Sequence, residues 1–138
     1  MPDATDHPAT VKALLARGTE RLAHLDSGAL DAEFLLRAFS GLSRGRLLAE
    51  PDALVAPSAA HAYGAALARR AEHEPLQYIL GKAAFWRDEF IVTPSVLIPR
   101  PETEILVELT ATRVRGVSAA RILDVGTGSG CLGLSILR

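Results

Sequence analysis

The sequence predicts a chain of two unlike parts, an all-α N-terminal domain joined by a β-hairpin to the start of an α/β domain. Three observations predict it. From Val11 to Ala71 the apolar residues recur at helical spacing, and no strand-period run interrupts them. After the break at Glu74-Pro75, two short β-prone runs follow one another, Ala84 to Trp86 and Glu89 to Val92. Near the end, the apolar run Arg121-Ile122-Leu123-Asp124-Val125 leads into a glycine-rich stretch and then a helical pattern. The expected boundaries are 1–80 for the helical domain, 81–95 for the hairpin and 96–138 for the N-terminal part of the α/β domain.

Each element has its own signal. Val11, Leu14, Leu15, Leu22 and Leu25 give a first amphipathic helix, with Pro8 suited to its first turn. Asp26 or Ser27 caps a second helix, in which Leu30, Phe34 with Leu35, and Ala38 form the apolar stripe and Gly41 supplies the stop. Ser43 to Glu50 suits a short third helix. Ser58 to Glu72 is Ala-rich with Tyr63, Leu67 and Ala71 on one face, and reads as helix despite the cost of Gly64. Pro75 opens a short helix that runs through Ile79 and ends at Gly81. In the hairpin, Arg87-Asp88 is the polar step at which the chain turns.

Pro94, Pro99 and Pro101 punctuate the following loop. Pro101 opens a helix whose first turn carries Glu102 and Glu104, complementing the positive helix end, while Ile105, Leu106 and Leu109 give it a buried face. Beyond the break at Gly116, Arg121 to Val125 reads as a buried strand, Gly126 to Gly130 as a glycine loop, and Cys131 to Leu137 as the start of a helix. One strand and one short helix cannot cover both faces of a parallel sheet, so an α/β domain is expected to begin here without being completed within these residues.

Composition narrows the function classes. Fifteen basic residues face 16 acidic ones for a net charge of -1, so no global field gathers a polyanion and direct nucleic-acid binding is not expected. With 49% hydrophobic and 22% charged residues the chain is globular in composition, not disordered. The charge-free stretch Ala53 to Ala68 is shorter than the ~20 apolar residues of a bilayer span and contains Pro57, Ser58 and His61, so no membrane helix is expected. A single cysteine, Cys131, fits a reducing compartment. The N-terminus lacks an apolar signal core, and Asp3, Asp6 and Glu20 do not suit an acid-poor transit peptide, so the expected location is cytoplasmic.

The chemistry is carried by Asp124-Val125-Gly126-Thr127-Gly128-Ser129-Gly130. Glycines at alternate positions permit positive φ and close approach of a ligand to the backbone. The following helix start offers free N–H groups to an anion, and Asp124 adds a negative charge where the loop begins. A ligand with both a carboxylate and an ammonium group suits this pairing, and S-adenosylmethionine is such a ligand. Gly128-Ser129-Gly130-Cys131-Leu132-Gly133 also satisfies the dinucleotide pattern G-x-G-x-x-G. The acidic ribose-binding residue that would confirm either cofactor falls about 20 residues downstream, outside these residues.

A second constellation is Glu74-Pro75-Leu76-Gln77-Tyr78-Ile79-Leu80-Gly81, then Phe85-Trp86, Phe90, Val92 and Leu97-Ile98-Pro99-Arg100-Pro101-Glu102-Thr103-Glu104. Followed at this distance by the Gly126 to Gly130 loop, it resembles the release-factor glutamine N5-methyltransferases, the S-adenosylmethionine-dependent HemK-like family. The resemblance is strong from Glu74 onward and extends to the helical half in layout. It implies a small helical substrate-docking domain joined by a hairpin to a Rossmann-like methyltransferase domain.

It also implies S-adenosylmethionine as cofactor, held by Gly126, Thr127, Gly128, Ser129, Gly130 and Asp124, with Arg100 and Thr103 in a stretch near the pocket. The implied partner is a peptide chain release factor, free or on the ribosome, with no direct contact to nucleic acid or membrane. The family's Asn-Pro-Pro-Tyr motif, which holds the substrate amide, is absent from these residues. The chain therefore reads as cut off after the cofactor loop. No residue here is assigned as a catalytic acid or base, no metal is implied, and the 138 residues alone are expected to be inactive.

Plainer roles stand beside these. Glu102 and Glu104 could simply complement a helix dipole. Phe85 and Trp86 suit interdomain packing better than base stacking, and Cys131 suits packing on a helix face. His7, His24, His61 and His73 contain no i, i+4 pair that would suggest zinc, and Arg69-Arg70 suits a solvated helix end. Methylation of a glutamine in a ribosomal protein, methylation of a DNA adenine amine, and a non-catalytic helical interaction module are the alternative functions.

Overall fold

A computed structural model describes residues 9–137, so Pro8 as a first-turn residue and His7 lie outside the described part. The chain divides into two compact units, one up to Ile79 and one from Leu80.

In the first unit, α1 (Val11–Arg21), α2 (Gly28–Ser40) and α4 (Pro57–Ala71) pack on one another, with the short α3 (Arg44–Ala49) and α5 (Leu76–Leu80) completing the helices. α1 begins where Thr10 accepts the Ala13 N–H at 3.2 Å. Two further free amides of its first turn, Val11 and Lys12, donate to the carbonyls of Ala53 (3.0 Å) and Pro51 (2.8 Å). This docking draws β1 (Ala9–Thr10) alongside β2 (Leu54–Val55) in a short antiparallel ladder. The N-terminal part is thus not purely α. A two-residue pairing is too short to leave an alternating pattern in the sequence.

The core of this unit is Val11, Leu14, Leu22, Ala32, Leu35, Leu36, Leu47, Val55, Tyr63, Ala66 and Leu67. Gly41 ends α2 in the left-handed region (φ 71°) as expected. The expected stripe of α2 holds only at Leu35, which is buried: Leu30 is 50% and Phe34 40% exposed, Ala38 is exposed, and the helix buries Gly28, Asp31, Ala32 and Leu36 beside Leu35. The reason is Asp31, whose carboxylate is buried because Arg70 Nε donates to it at 2.7 Å and Ser27 Oγ at 2.7 Å. A charged residue at the centre of the buried face disguises that face in the sequence. Arg70 is accordingly no solvated helix end, whereas the exposed Arg69 pairs with the half-buried Glu74 and holds its carboxyl below the usual range.

The second unit opens with the hairpin of β3 (Lys82–Phe85) and β4 (Asp88–Ile91), in register from Lys82↔Ile91 to Phe85↔Asp88. The turn is therefore Trp86-Arg87, one residue earlier than the polar step suggests. Trp86 takes a positive φ of 57°, the mirror-image turn geometry that suits twisted strands. Alternation places Ala83 and Phe85 on the buried face, and Phe90 meets Phe85 edge to face at 6.2 Å.

A 3-10 turn (Pro101–Thr103) leads into α6 (Glu104–Val114), and α7 (Cys131–Ile136) packs on α6. Phe85, Val107 and Cys131 form the buried cluster, with Trp86, Phe90, Leu132 and Ile136 against it. Phe85, Trp86 and Cys131 do pack, and the cluster that takes them is internal to the second unit. On α6 the buried residue is Val107, while Ile105, Leu106 and Leu109 are exposed, which corrects the expected buried face.

Arg121 to Val125 forms no strand, a further correction. Leu123 and Val125 are 86% and 85% exposed, and no strand among the described residues pairs with this run. A strand is defined by a ladder, and an apolar run without a partner stays irregular. The α/β arrangement is therefore not formed within the described residues. No helix among them is long and apolar enough to cross a membrane.

Candidate functional site

The glycine loop takes the backbone form its composition permits. Gly126, Gly128 and Gly130 all lie at positive φ, 79°, 57° and 77°. A side chain at any of them would be strained by the backbone alone. A Cβ on Gly126 would meet nothing within 4 Å, and one on Gly128 only the Gly126 carbonyl at 3.9 Å, so the outer face of the loop is open. Inside, Thr127 Oγ1 donates to the Asp124 carbonyl at 3.2 Å, the Gly130 N–H to the Thr127 carbonyl at 2.9 Å, and the Leu134 N–H to the Gly130 carbonyl at 2.9 Å. These bonds fold the loop back onto the start of α7.

Two polar atoms are left over. One carboxylate oxygen of Asp124 (Oδ2) and the Ser129 hydroxyl are buried and have no hydrogen-bond partner among the described residues. The Asp124 oxygen lies 3.2 Å from where a Cβ on Gly133 would stand, so it faces the first turn of α7 through the space that glycine leaves. A buried acceptor without a donor is costly, and such a group calls for a partner.

Arg100 and Thr103 flank the 3-10 turn. The Thr103 N–H donates to the Arg100 carbonyl at 3.0 Å, Arg100 is exposed, and Thr103 is half-buried at the cap of α6 without a capping bond from its side chain. Among the described residues neither side chain bonds to the glycine loop, so the structure gathers Asp124 and Gly126 to Gly130 and does not join Arg100 or Thr103 to them. Glu102 is exposed. Glu104 instead accepts the backbone N–H of Trp86 at 2.8 Å. A glutamate opening a helix looks the same in sequence whether it complements the dipole or reaches across to another element, so no signal could have separated the two.

In the first unit an open cleft of about 360 Å³ is lined by His24, Leu25, Asp26, Ser27, Arg70 and His73. His24 Nε2 lies 3.1 Å from the Ala71 carbonyl, and its ring meets His73 edge to face. Among the described residues no group of three or more His, Cys, Asp or Glu side chains is placed to hold a metal ion.

Residues 13–81, half of the chain, match the family model described as the PrmC N-terminal domain. Three curated relatives, each named release factor glutamine methyltransferase, are similar over most of this chain. The protein from Nitratidesulfovibrio vulgaris is 40% identical over 98% of this chain and 46% of its own length. The Geobacter sulfurreducens protein is 45% identical over 83% of this chain and 39% of its own, and that of Burkholderia pseudomallei 43% identical over 94% and 43%. The chain thus spans less than half the length of these relatives. With the match across the helical domain and the similarity that continues through the glycine loop, this chain belongs to the release factor glutamine methyltransferase family.

Proposed function

We propose that this chain supplies the substrate-docking domain and the cofactor loop of an S-adenosylmethionine-dependent methyltransferase. Its acceptor would be the side-chain amide nitrogen of a glutamine in a peptide chain release factor. The observation that carries this reading is the open, left-handed glycine loop beside the unpartnered Asp124 carboxylate, in a chain of this family.

The residues present fit the cofactor. The Asp124 oxygen lacks a donor and would accept one from an ammonium group, whereas a pyrophosphate beside it would be repelled. Gly126 and Gly128 leave the backbone bare for close approach, Thr127 and Gly130 brace the turn, and the Ser129 hydroxyl is a second unsatisfied group in addition to the Asp124 oxygen. In this reading Arg100 and Thr103, which make no bond to the loop among the described residues, contribute from a second tier. When bound, S-adenosylmethionine supplies an electrophilic methyl group on a sulfonium.

An amide nitrogen is a poor nucleophile because its lone pair is delocalised. The contribution of these residues is orientation, holding one reactant so that the other meets it in line. No acid or base is required of them. The Asn-Pro-Pro-Tyr motif that holds the substrate amide in the family is not among these residues, so a polypeptide of the 138 residues alone is expected to transfer no methyl group.

Calorimetry on the complete protein tests the cofactor assignment. S-adenosylmethionine should bind more tightly than NAD, and Asp124→Asn should weaken it about tenfold, the worth of one charge-assisted hydrogen bond. Tighter binding of NAD would overturn the reading.

A further inference from the structure

The bond between Glu104 and Trp86 lies outside the expected cofactor residues. Trp86 is the first residue of the hairpin turn, and its amide is not used by the Phe85↔Asp88 end of the ladder. Its positive φ is unusual for a bulky side chain and persists only where the surroundings over-determine it. Glu104 adds to the restraint of the turn itself, since its carboxylate accepts the Trp86 N–H at 2.8 Å in a partly buried setting. The carboxylate stands at the first position of α6, immediately after Arg100 to Thr103.

The same cluster holds the other end of the site. Cys131 follows Gly130 directly, and it is buried with Val107 of α6 and Phe85 of β3. Val107 lies three residues after Glu104, on the same side of the helix. The hairpin tip, the start of α6 and the root of the glycine loop are thus fastened to one another, and Glu104 is the polar fastening among apolar ones.

We propose that Glu104 is a positioning residue for the methyl donor, acting through the Trp86 amide to set the start of α6, and with it both the Arg100 to Thr103 segment and the seat of Cys131. This rests on the assignment of Gly126 to Gly130 as the S-adenosylmethionine site. Glu104 itself touches no ligand in this proposal.

The test compares the complete wild-type protein with Glu104→Ala and Glu104→Gln, reading S-adenosylmethionine affinity by calorimetry, exchange of the Trp86 amide by NMR, and the KM for the release factor. Glu104→Ala should speed Trp86 exchange and weaken the cofactor about tenfold, the scale of one charge-assisted bond. The release-factor KM should stay within about twofold, because the helical domain is untouched. Glu104→Gln keeps an oxygen acceptor, and should restore both amide protection and affinity to within about threefold.

Released Trp86 with unchanged cofactor affinity would overturn the positioning role and leave the site assignment standing. If Glu104→Ala does not fold, Glu104→Asp, whose carboxylate is one methylene short of the Trp86 amide, takes its place with the same expected and overturning results. A protected Trp86 amide with lost cofactor affinity would mean that the carboxylate contacts the ligand directly, which also overturns the proposal. A wild type that does not bind S-adenosylmethionine would overturn the site assignment itself, and the positioning role with it.

Discussion

The hydroxyl of Tyr63 lies over the Cα of Gly18, in the space that a side chain at position 18 would need, and donates to the Leu14 carbonyl at 3.2 Å. This contact joins α4 to the middle of α1, and Ala32 of α2 closes the same space. Gly18→Ala should therefore cost the helical unit about 1–3 kcal/mol by overpacking, read as a fall in its denaturant midpoint. Tyr63→Phe removes the oxygen and should cost about 1 kcal/mol through the lost bond. In the double variant the two losses should fall short of their sum, because the phenylalanine gives the new methyl part of its room.

The same burial gives the unit an alkaline limit. Tyr63 is pushed up to about 12 by removal from water, against an ordinary value of 10.0. A raised value means that the folded state keeps a proton the unfolded chain gives up. The stabilisation is full below pH 10 and is lost as pH rises toward 12, by about 2–3 kcal/mol. Equilibrium unfolding across that range should show the loss in wild type and a much smaller one in Tyr63→Phe.

Asp31 and Arg70 make a second polar tie within the helical unit, with side chains only 8% and 16% exposed. Removing the Asp31 carboxylate leaves the largely buried Arg70 guanidinium with only the neutral Glu74 carbonyl, 3.1 Å from Nη1, to accept from it. Asp31→Ala should cost about 3–5 kcal/mol, while the double change Asp31→Leu with Arg70→Met should recover most of it. Thermal unfolding of the three variants measures both.

These two ties show what the sequence could and could not disclose. Helix positions, the Gly41 stop, the hairpin and the glycine loop were legible because each rests on local chemistry: spacing, a left-handed stop, or alternation. The buried face of α2 was not, because Asp31 sits at its centre and its partner Arg70 lies far along the chain. The β1–β2 pairing rests on two residues per strand. The run from Arg121 to Val125 has the composition of a buried strand, but composition cannot supply a neighbour. In the site, the glycine backbone was readable from residue type alone, whereas Glu104 acts through a single bond to Trp86 that no periodicity marks.

Division of labour between the units gives a further prediction. If residues 1–80 dock the protein substrate, deleting them should raise the KM for a release factor while S-adenosylmethionine affinity stays within about twofold, since the glycine loop lies in the other unit. Parallel kinetics and calorimetry on the shortened protein check this. Equal loss of both would show that the helical unit also shapes the cofactor site.

Whether the loop at Gly126 to Gly130 serves methyl transfer to a glutamine is decided by incubating the complete protein with radiolabelled S-adenosylmethionine and a purified release factor, then locating the label by mass spectrometry of the digested factor. Stoichiometric label is expected on the side-chain amide nitrogen of one glutamine, its initial rate of incorporation reduced about tenfold in Asp124→Asn at limiting cofactor. No incorporation above background, or label on a ribosomal-protein glutamine or a DNA adenine when these are offered in its place, would contradict it.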